Sequence, residues 1–311
     1  MTPYYCRPPP RGVTSFSVCP PTERDSLNPT RTHNDGVLYD HQLTGQRCQG
    51  TGGDHPTHGR APVPRRCFFP HPHQTRKTPV PTTKLIVALS GGMDSTTALA
   101  NAISCYPSAE ILTAGFRYGS KHNTLELQAA RRVADHYKVP FKEFDLRPVF
   151  QGFNSKLMAG GGMLPHGHYE EESMRDTVVP GRNIIFAAVL AGYAMSEKVN
   201  QVWLGIHAGD HYIYPDCRPD FYDAMNSAIR YGTGWEVWLV APYLKQTKLD
   251  ILRHGFGMTV PYHLTRTCYS YDEVACGKCG SCQERLEAFK LLGYEDPLPY
   301  QSRELLPKKS A

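Results

Sequence analysis

The feature that most constrains the fold is an apolar run that stops at two glycines. Residues 84–95 read KLIVALSGGMDS. Five apolar residues in a row suit a strand buried on both faces, as in a parallel sheet. Gly91 and Gly92 then predict a tight turn, and Asp94 to Ser104 a helix. Such a turn lets the backbone approach a ligand closely. The free N–H groups at the helix start favour an anion, with the hydroxyls of Ser90 and Ser95 as further donors. A phosphate fits, and a ligand-free turn is the alternative. No Gly-Lys-Ser/Thr follows, so the loop is not a Walker A motif, and its spacing is not that of the dinucleotide fingerprint either.

The pattern then repeats. Residues 109–118 and 141–146 read as strands, with a helix over 122–138 between them. Residues 148–179 read as a loop, in which the glycines Gly160 to Gly162 suggest a lid more than a phosphate cradle. A helix over Asn183 to Lys198, a strand over 200–206, a helix over Asp220 to Arg230, a strand over 237–242 and a helix over Thr247 to His254 complete the series. Alternating strands and helices predict an α/β, Rossmann-like, mainly parallel sheet with helices on both faces. Ligands of such sheets bind at the carboxyl ends of the strands, where the glycine turn lies.

Residues 1–83 are of another kind. They hold fourteen of the 26 prolines and six of the 14 histidines, with no helical or strand periodicity. Such a segment buries too little apolar surface to offset its chain entropy and is expected to be disordered. The first 84 residues carry eleven Lys or Arg against five Asp or Glu, which leaves the remainder near −1 of the total +5. The basic excess is therefore no argument for nucleic-acid binding by the folded part. No run approaches the roughly 18 apolar residues of a membrane span, and a cytoplasmic location is expected. The expected organisation is an extension over 1–83, an α/β domain that opens on the glycine turn over 84–260 and a C-terminal subdomain over 261–311.

Cys268, Cys276, Cys279 and Cys282 crowd into fifteen residues. Four thiolates at this spacing suit tetrahedral Zn²⁺, with an iron–sulfur cluster as the main rival. Four thiolates fill a tetrahedral site, so the expected role is structural. Gly277 and Gly280 would permit its turns. Ser281 and Glu284 have the spacing of a capping box for a helix carrying Leu286, Phe289 and Leu292.

"SGGMDS" resembles the pyrophosphate loop, SGGxDS, of the ATP pyrophosphatases, which adenylate an oxygen with ATP. The motifs "FRYGSKHNTLE", "VVPGRNIIF", "GIHAGDHYIYPDCRPDF", "APYLKQTKLDIL", "TCYSYDEVACGKCGSC" and "DPLPY" follow in order. Together they resemble the QueC family of 7-cyano-7-deazaguanine synthases over roughly residues 84–300. The resemblance implies a carbon–nitrogen ligase that converts 7-carboxy-7-deazaguanine and ammonia to 7-cyano-7-deazaguanine. It implies ATP as co-substrate, Mg²⁺, one structural Zn²⁺ on the four cysteines, a homodimer, and no nucleic-acid or membrane partner. The chain leaves no room for a glutaminase domain, so free ammonia is the expected nitrogen source.

On that resemblance, Leu89, Ser90, Gly91, Gly92, Met93, Asp94, Ser95, Thr96, Thr97, Ala98 and Leu99 would hold ATP. Asp94, Arg182 and Lys248 would carry the catalysis, with Lys248 neutralising pyrophosphate. Lys121, His122, Glu126, Asn183, Asp210 and Asp216 would meet the substrates. Plainer readings are a solvated ion pair for His122 and Glu126, a helix cap for Asn183 and solvated loop carboxylates for Asp210 and Asp216. Ser120, Ile213 and Arg266 stand where the family pattern often has other residues. They keep open a related ligase that joins the deazaguanine acid to another amine. A zinc-containing nucleic-acid binder is a rival of another class, and the lack of aromatic-interleaved basic stripes argues against it.

Overall fold

The computed structural model describes residues 84–168, 172–209 and 213–307. The expected disorder over 1–83 lies outside the described residues, as does Asp210. Five parallel strands form the sheet: β1 (Leu85–Ala88), β2 (Ile111–Arg117), β3 (Phe141–Asp145), β4 (Gln201–Trp203) and β5 (Trp238–Val240). Their order is β3-β2-β1-β4-β5, with Leu85 opposite both Ile111 and Gln201. The chain leaves β1 toward β2 and later returns to its other side as β4. The strand order therefore reverses at β1, and at such a switch point the loops above the strand ends part to leave a crevice.

The described residues form six α-helices: α1 (Met93–Cys105), α2 (Asn123–Tyr137), α3 (Arg182–Glu197) and α4 (Pro219–Gly232), which pack against the sheet, and α5 (Lys248–Gly257) and α6 (Gly280–Leu291), which stack outside α1. Side chains alternate across a strand, and β1 shows why both faces need cover. Leu85 and Val87 pack with Leu99 of α1 and with Ala130 and Val133 of α2. Ile86 packs on the other face with Ala187, Leu190 and Ala194 of α3. Every strand of the sequence reading is present, each somewhat shorter than the stretch read as a strand.

The segment 148–179 is more ordered than a loop. Phe150, Leu157, Met174 and Val179 are buried in the core on the α3 side, and Glu172–Thr177 forms a 3-10 helix. A Cβ at Gly161 would lie 1.9 Å from the carbonyl oxygen of Ser155, so this glycine serves a tight turn. The stretch Glu172–Glu197 has the length and hydropathy of a membrane span. In the fold it is broken between the 3-10 helix and α3, and one face of α3 covers the sheet.

The C-terminal segment shares its core with the sheet domain. Ala288 and Phe289 of α6 pack with Met93 and Ala100 of α1 and with Leu252 of α5. Beneath them Arg285 and Asp296, both fully buried, make a two-pronged pair at 2.6 and 2.9 Å. Thr265 and Tyr300 hydroxyls and the Leu298 N–H complete the hydrogen bonding of the two charges. A buried pair is tolerable when its remaining donors and acceptors are met in this way.

Candidate active site

A cleft opens above the carboxyl ends of β1, β2 and β4, and the glycine turn forms its floor. Leu89, Ser90, Gly92, Asp94 and Ser95 line it. Gly92 is the N-cap of α1 and offers no side chain to the first turn. The N–H groups there are left for a ligand, which is the condition for anion binding. Ser90 Oγ and Ser95 Oγ lie 3.0 Å apart beside them.

The remaining residues expected at ATP are not in the cleft. Met93 and Leu99 point into the core, and Ala98 packs with Tyr243 and Ile251. Thr96 is fully buried. Thr97 Oγ1 donates to the Met93 carbonyl at 2.8 Å and lies 2.9 Å from the Tyr262 hydroxyl. Gly91 has φ +82° and faces α2. A Cβ there would sit 2.4 Å from Ala130 N and 2.8 Å from Glu126 O. The glycine that the sequence assigns to ligand approach is needed for the approach of a helix.

Asp94, in the first turn of α1, meets Lys248, the first residue of α5. Lys248 Nζ lies 2.6 Å from Asp94 Oδ2 and 3.0 Å from Nε2 of the buried His207. It also reaches Glu284 Oε2 of α6 at 3.3 Å. Burial pushes the Asp94 carboxyl up, but Lys248 and His207 outweigh it and hold the group below its ordinary range. Asp94 Oδ1 is buried and has no protein partner among the described residues. A buried carboxylate oxygen with no donor is suited to a hard cation such as Mg²⁺.

At the other end of the cleft lie Tyr118, His122, Glu126, Arg182, Phe186 and Tyr269. Asn123 shapes this end. Its Oδ1 accepts from the N–H groups of Tyr118 and Gly119, and its Nδ2 donates to the Phe116 carbonyl. His122 and Glu126 are one helical turn apart at 3.7 Å, but they are not a solvated ion pair. Burial, with Arg182 and Arg266 nearby, pushes His122 down to about 3, so it is neutral. Burial pushes Glu126 up to about 7, against the pull of Arg182 and an Asn123 hydrogen bond. Arg182 stands over the Tyr214 ring at 5.8 Å.

Asn183 lines the cleft but is not the cap of α3, which is Gly181. Its backbone N–H donates to Asp216 Oδ2 at 2.9 Å, and its Nδ2 donates to the Asp216 carbonyl at 3.1 Å. Asp216 therefore accepts from the first turn of α3 and is absent from the cleft lining. Lys121 turns away too. Its Nζ donates to the carbonyls of Lys156 and Gly162. Of the unusual positions, Ser120 bridges to Met158 and Ile213 is in the core. Only Arg266 borders the cleft. Its guanidinium donates to the carbonyls of Ser270, Asp272 and Glu273, and its N–H donates to Gly91 O at 2.8 Å. His207, Tyr118, Tyr269 and Asn123 were not singled out by sequence spacing, and Glu284 was singled out only as half of a capping box.

The wall beside Arg266 is a candidate metal centre. The sulfurs of Cys268, Cys276, Cys279 and Cys282 all lie within 4.8 Å of one another. Cys276 Sγ is 3.5 Å from Cys268 Sγ and 4.0 Å from Cys282 Sγ. A tetrahedron with metal–sulfur bonds of about 2.3 Å needs edges of about 3.8 Å. The N–H groups of Ser270 and Cys276 point at Cys268 Sγ, and those of Lys278 and Cys279 at Cys276 Sγ. These donors suit negatively charged thiolates, and the four sulfurs could hold one metal ion. Gly277 has φ +74°, and a Cβ on it would lie 1.6 Å from Ser302 O, whereas Gly280 simply begins α6. Cys279 is the N-cap of α6, without a side-chain cap. The expected capping box is absent, because Ser281 Oγ donates to Thr267 O and Glu284 reaches Lys248 instead.

The family model described as "Queuosine biosynthesis protein QueC" matches residues 84–293. A 7-cyano-7-deazaguanine synthase of Pseudoalteromonas translucida is 44% identical over 220 residues, 71% of this chain and 100% of the relative. The synthase of the same name from Pseudoalteromonas atlantica is 44% identical over 218 residues, 70% of this chain and 99% of the relative. Among solved structures, the NMN synthetase of Francisella tularensis aligns at 14% identity and TM-score 0.38, over 69% of this chain and 79% of that one. That likeness is too weak to argue from.

Proposed function

The chain belongs to the QueC family, and from that premise we propose that it is an ATP-dependent ligase making 7-cyano-7-deazaguanine from 7-carboxy-7-deazaguanine and ammonia. The observation that carries the reading is the family match, which spans the residues building the cleft. The chemistry needs two activations. The substrate carboxylate attacks the α-phosphorus of ATP and expels pyrophosphate. Ammonia then displaces AMP from the acyl adenylate and loses a proton, leaving a primary amide. The amide oxygen attacks the α-phosphorus of a second ATP and expels pyrophosphate, and departure of AMP with loss of the two nitrogen protons leaves the nitrile.

The cleft supports this sequence of steps. The bare first turn of α1, with Ser90 and Ser95, suits the departing pyrophosphate. Lys248 beside it supplies the positive charge. Asp94, with one oxygen unpartnered, is the residue that would hold Mg²⁺. Mg²⁺ there would neutralise phosphate charge in both adenylations. Arg182, at the other end, suits the substrate carboxylate. Glu126, poised near neutrality, suits the protons released when nitrogen adds and when the nitrile forms. The four cysteines would hold a structural Zn²⁺. A multi-metal cluster would spread its ligand sulfurs farther than one shared ion does, and these sulfurs are close.

The test is the order of the chemistry. Given the acid, ammonia, Mg²⁺ and ATP, the enzyme should release or accumulate the primary amide before the nitrile. Given the amide alone, it should consume ATP and form nitrile without ammonia. Asp94→Ala should depress both half-reactions together, by roughly 10² or more. Normal amide formation in that variant would refute one loop serving both activations. A wild type that stops at an amide with some other amine would refute the proposed product.

A further inference from the structure

We propose that Glu284 is a positioning residue for the ATP site, acting through Lys248 to free Asp94 for its metal ion. The proposal rests on the reading of Asp94 and Lys248 as ATP-site groups. Glu284 belongs to α6, the helix whose N-cap Cys279 and third residue Cys282 are candidate metal ligands. The four-cysteine site therefore fixes where the Glu284 carboxylate stands. It stands against Lys248: Oε2 lies 3.3 Å from Nζ, while Asp94 Oδ2 lies on the same ammonium at 2.6 Å. Two carboxylates thus share one cation.

The geometry gives this sharing a direction. Without ATP, the closer partner of Lys248 is Asp94, whose Oδ2 is thereby taken by the ammonium while Oδ1 stays open. When Mg²⁺ and the phosphates enter, Asp94 must turn to the cation and Lys248 to the phosphate. Lys248 leaves one carboxylate without losing its counter-charge, because Glu284 remains on its other side. With a neutral residue at 284, Lys248 would have to leave Asp94 with no carboxylate on its other side, and this raises the Mg²⁺ concentration that ATP binding needs.

The test measures binding of a nonhydrolysable ATP analogue by calorimetry across a range of Mg²⁺ concentrations, on the full-length chain with its four-cysteine metal in place. E284Q should raise the half-saturating Mg²⁺ by about five- to tenfold, while affinity at saturating Mg²⁺ stays near the wild-type value. In a Lys248→Met background the same substitution should shift the Mg²⁺ dependence by less than about twofold, because the residue it acts through is gone. Metal content and melting temperature are read on each sample. If E284Q sheds its metal, E284M, of similar size, replaces it. An unchanged Mg²⁺ dependence in a metal-loaded Glu284 variant would overturn the proposal. So would an equal shift with and without Lys248. A wild type that fails to bind the analogue would instead overturn the ATP-site reading beneath it.

Discussion

Gly91 and Gly92 are adjacent, and the structure predicts that alanine at each breaks a different property. At Gly91 the backbone has φ +82°, which costs an L-residue about 1–2 kcal/mol. The added Cβ would also stand 2.4 Å from Ala130 N and 2.8 Å from Ala129 C, and both are backbone atoms of α2 that cannot rotate away. Relieving such overpacking costs a further 1–3 kcal/mol or so. G91A should therefore lose about 2–5 kcal/mol, or roughly 5–15 °C in Tm for a domain of this size. At Gly92 φ is −74°, and the new Cβ would meet only Ser90 Oγ at 3.3 Å and Arg266 O at 3.7 Å. G92A should keep its stability to within about 1 kcal/mol. Gly92 lines the cleft, however, so the methyl group takes space beside the helix N-terminus. Affinity for an ATP analogue should fall by about tenfold to a hundredfold. Thermal unfolding and calorimetric titration of both variants separate the two effects. A G91A protein that melts within about 2 °C of the wild type would refute the packing argument. A G92A protein of undiminished affinity would refute the placement of phosphate at this turn.

Asp296→Ala should cost about 3–5 kcal/mol in urea unfolding, because it strands the fully buried Arg285 guanidinium, and a combined Arg285→Met, Asp296→Leu variant should regain part of that loss. Cys279→Ser should lose bound metal by elemental analysis, and with it ATP-analogue affinity, since α6 and the Arg266 segment form one wall of the cleft; full metal content in the variant would contradict the ligand set. Glu126, raised from 4.5 to about 7 by burial, binds more protons folded than unfolded across that window, so its contribution to stability falls as pH rises through it. Glu126→Gln should be the more stable protein above pH 7, by up to about 3 kcal/mol, with the difference vanishing below pH 4.5; an equal difference at pH 4 and pH 8 would exclude a proton-linked cause. The same substitution should remove the limb near pH 7 from the wild-type kcat/KM profile.

The sheet was legible because strands buried on both faces announce themselves as unbroken apolar runs, as in "LIVA" and "ILTAGF". The glycine turn was legible because its meaning depends only on the strand before it and the helix after it. Partnerships across the sequence were not. Asp216 reads as a loop carboxylate, and nothing near it says that it accepts from α3, 33 residues earlier. Ser281 and Glu284 have the spacing of a cap, but Thr267 and Lys248 are better placed for them once the cysteines fix the start of α6. Lys121 was placed among the substrate residues by its neighbours in the motif, and its side chain takes two carbonyls of the 148–179 segment instead. His207 is a single histidine in a motif, and its place against Lys248 depends on where α5 begins.

The contacts that close the cleft join distant parts of the chain. Asp94 and Lys248 are 154 residues apart, and Thr97 and Tyr262 are 165 apart. Each such contact must wait for a long loop to close, and long loops close late and slowly. The sheet, by contrast, has its five strands by Val240, before the Arg266 segment and α6 have been synthesised. A nascent chain can therefore assemble its scaffold on the ribosome while still lacking the wall that makes it a catalyst. The last part of the site to be synthesised includes the segment whose Arg266 N–H donates to Gly91 O at 2.8 Å. Until that segment is present, the cleft lacks one of its walls.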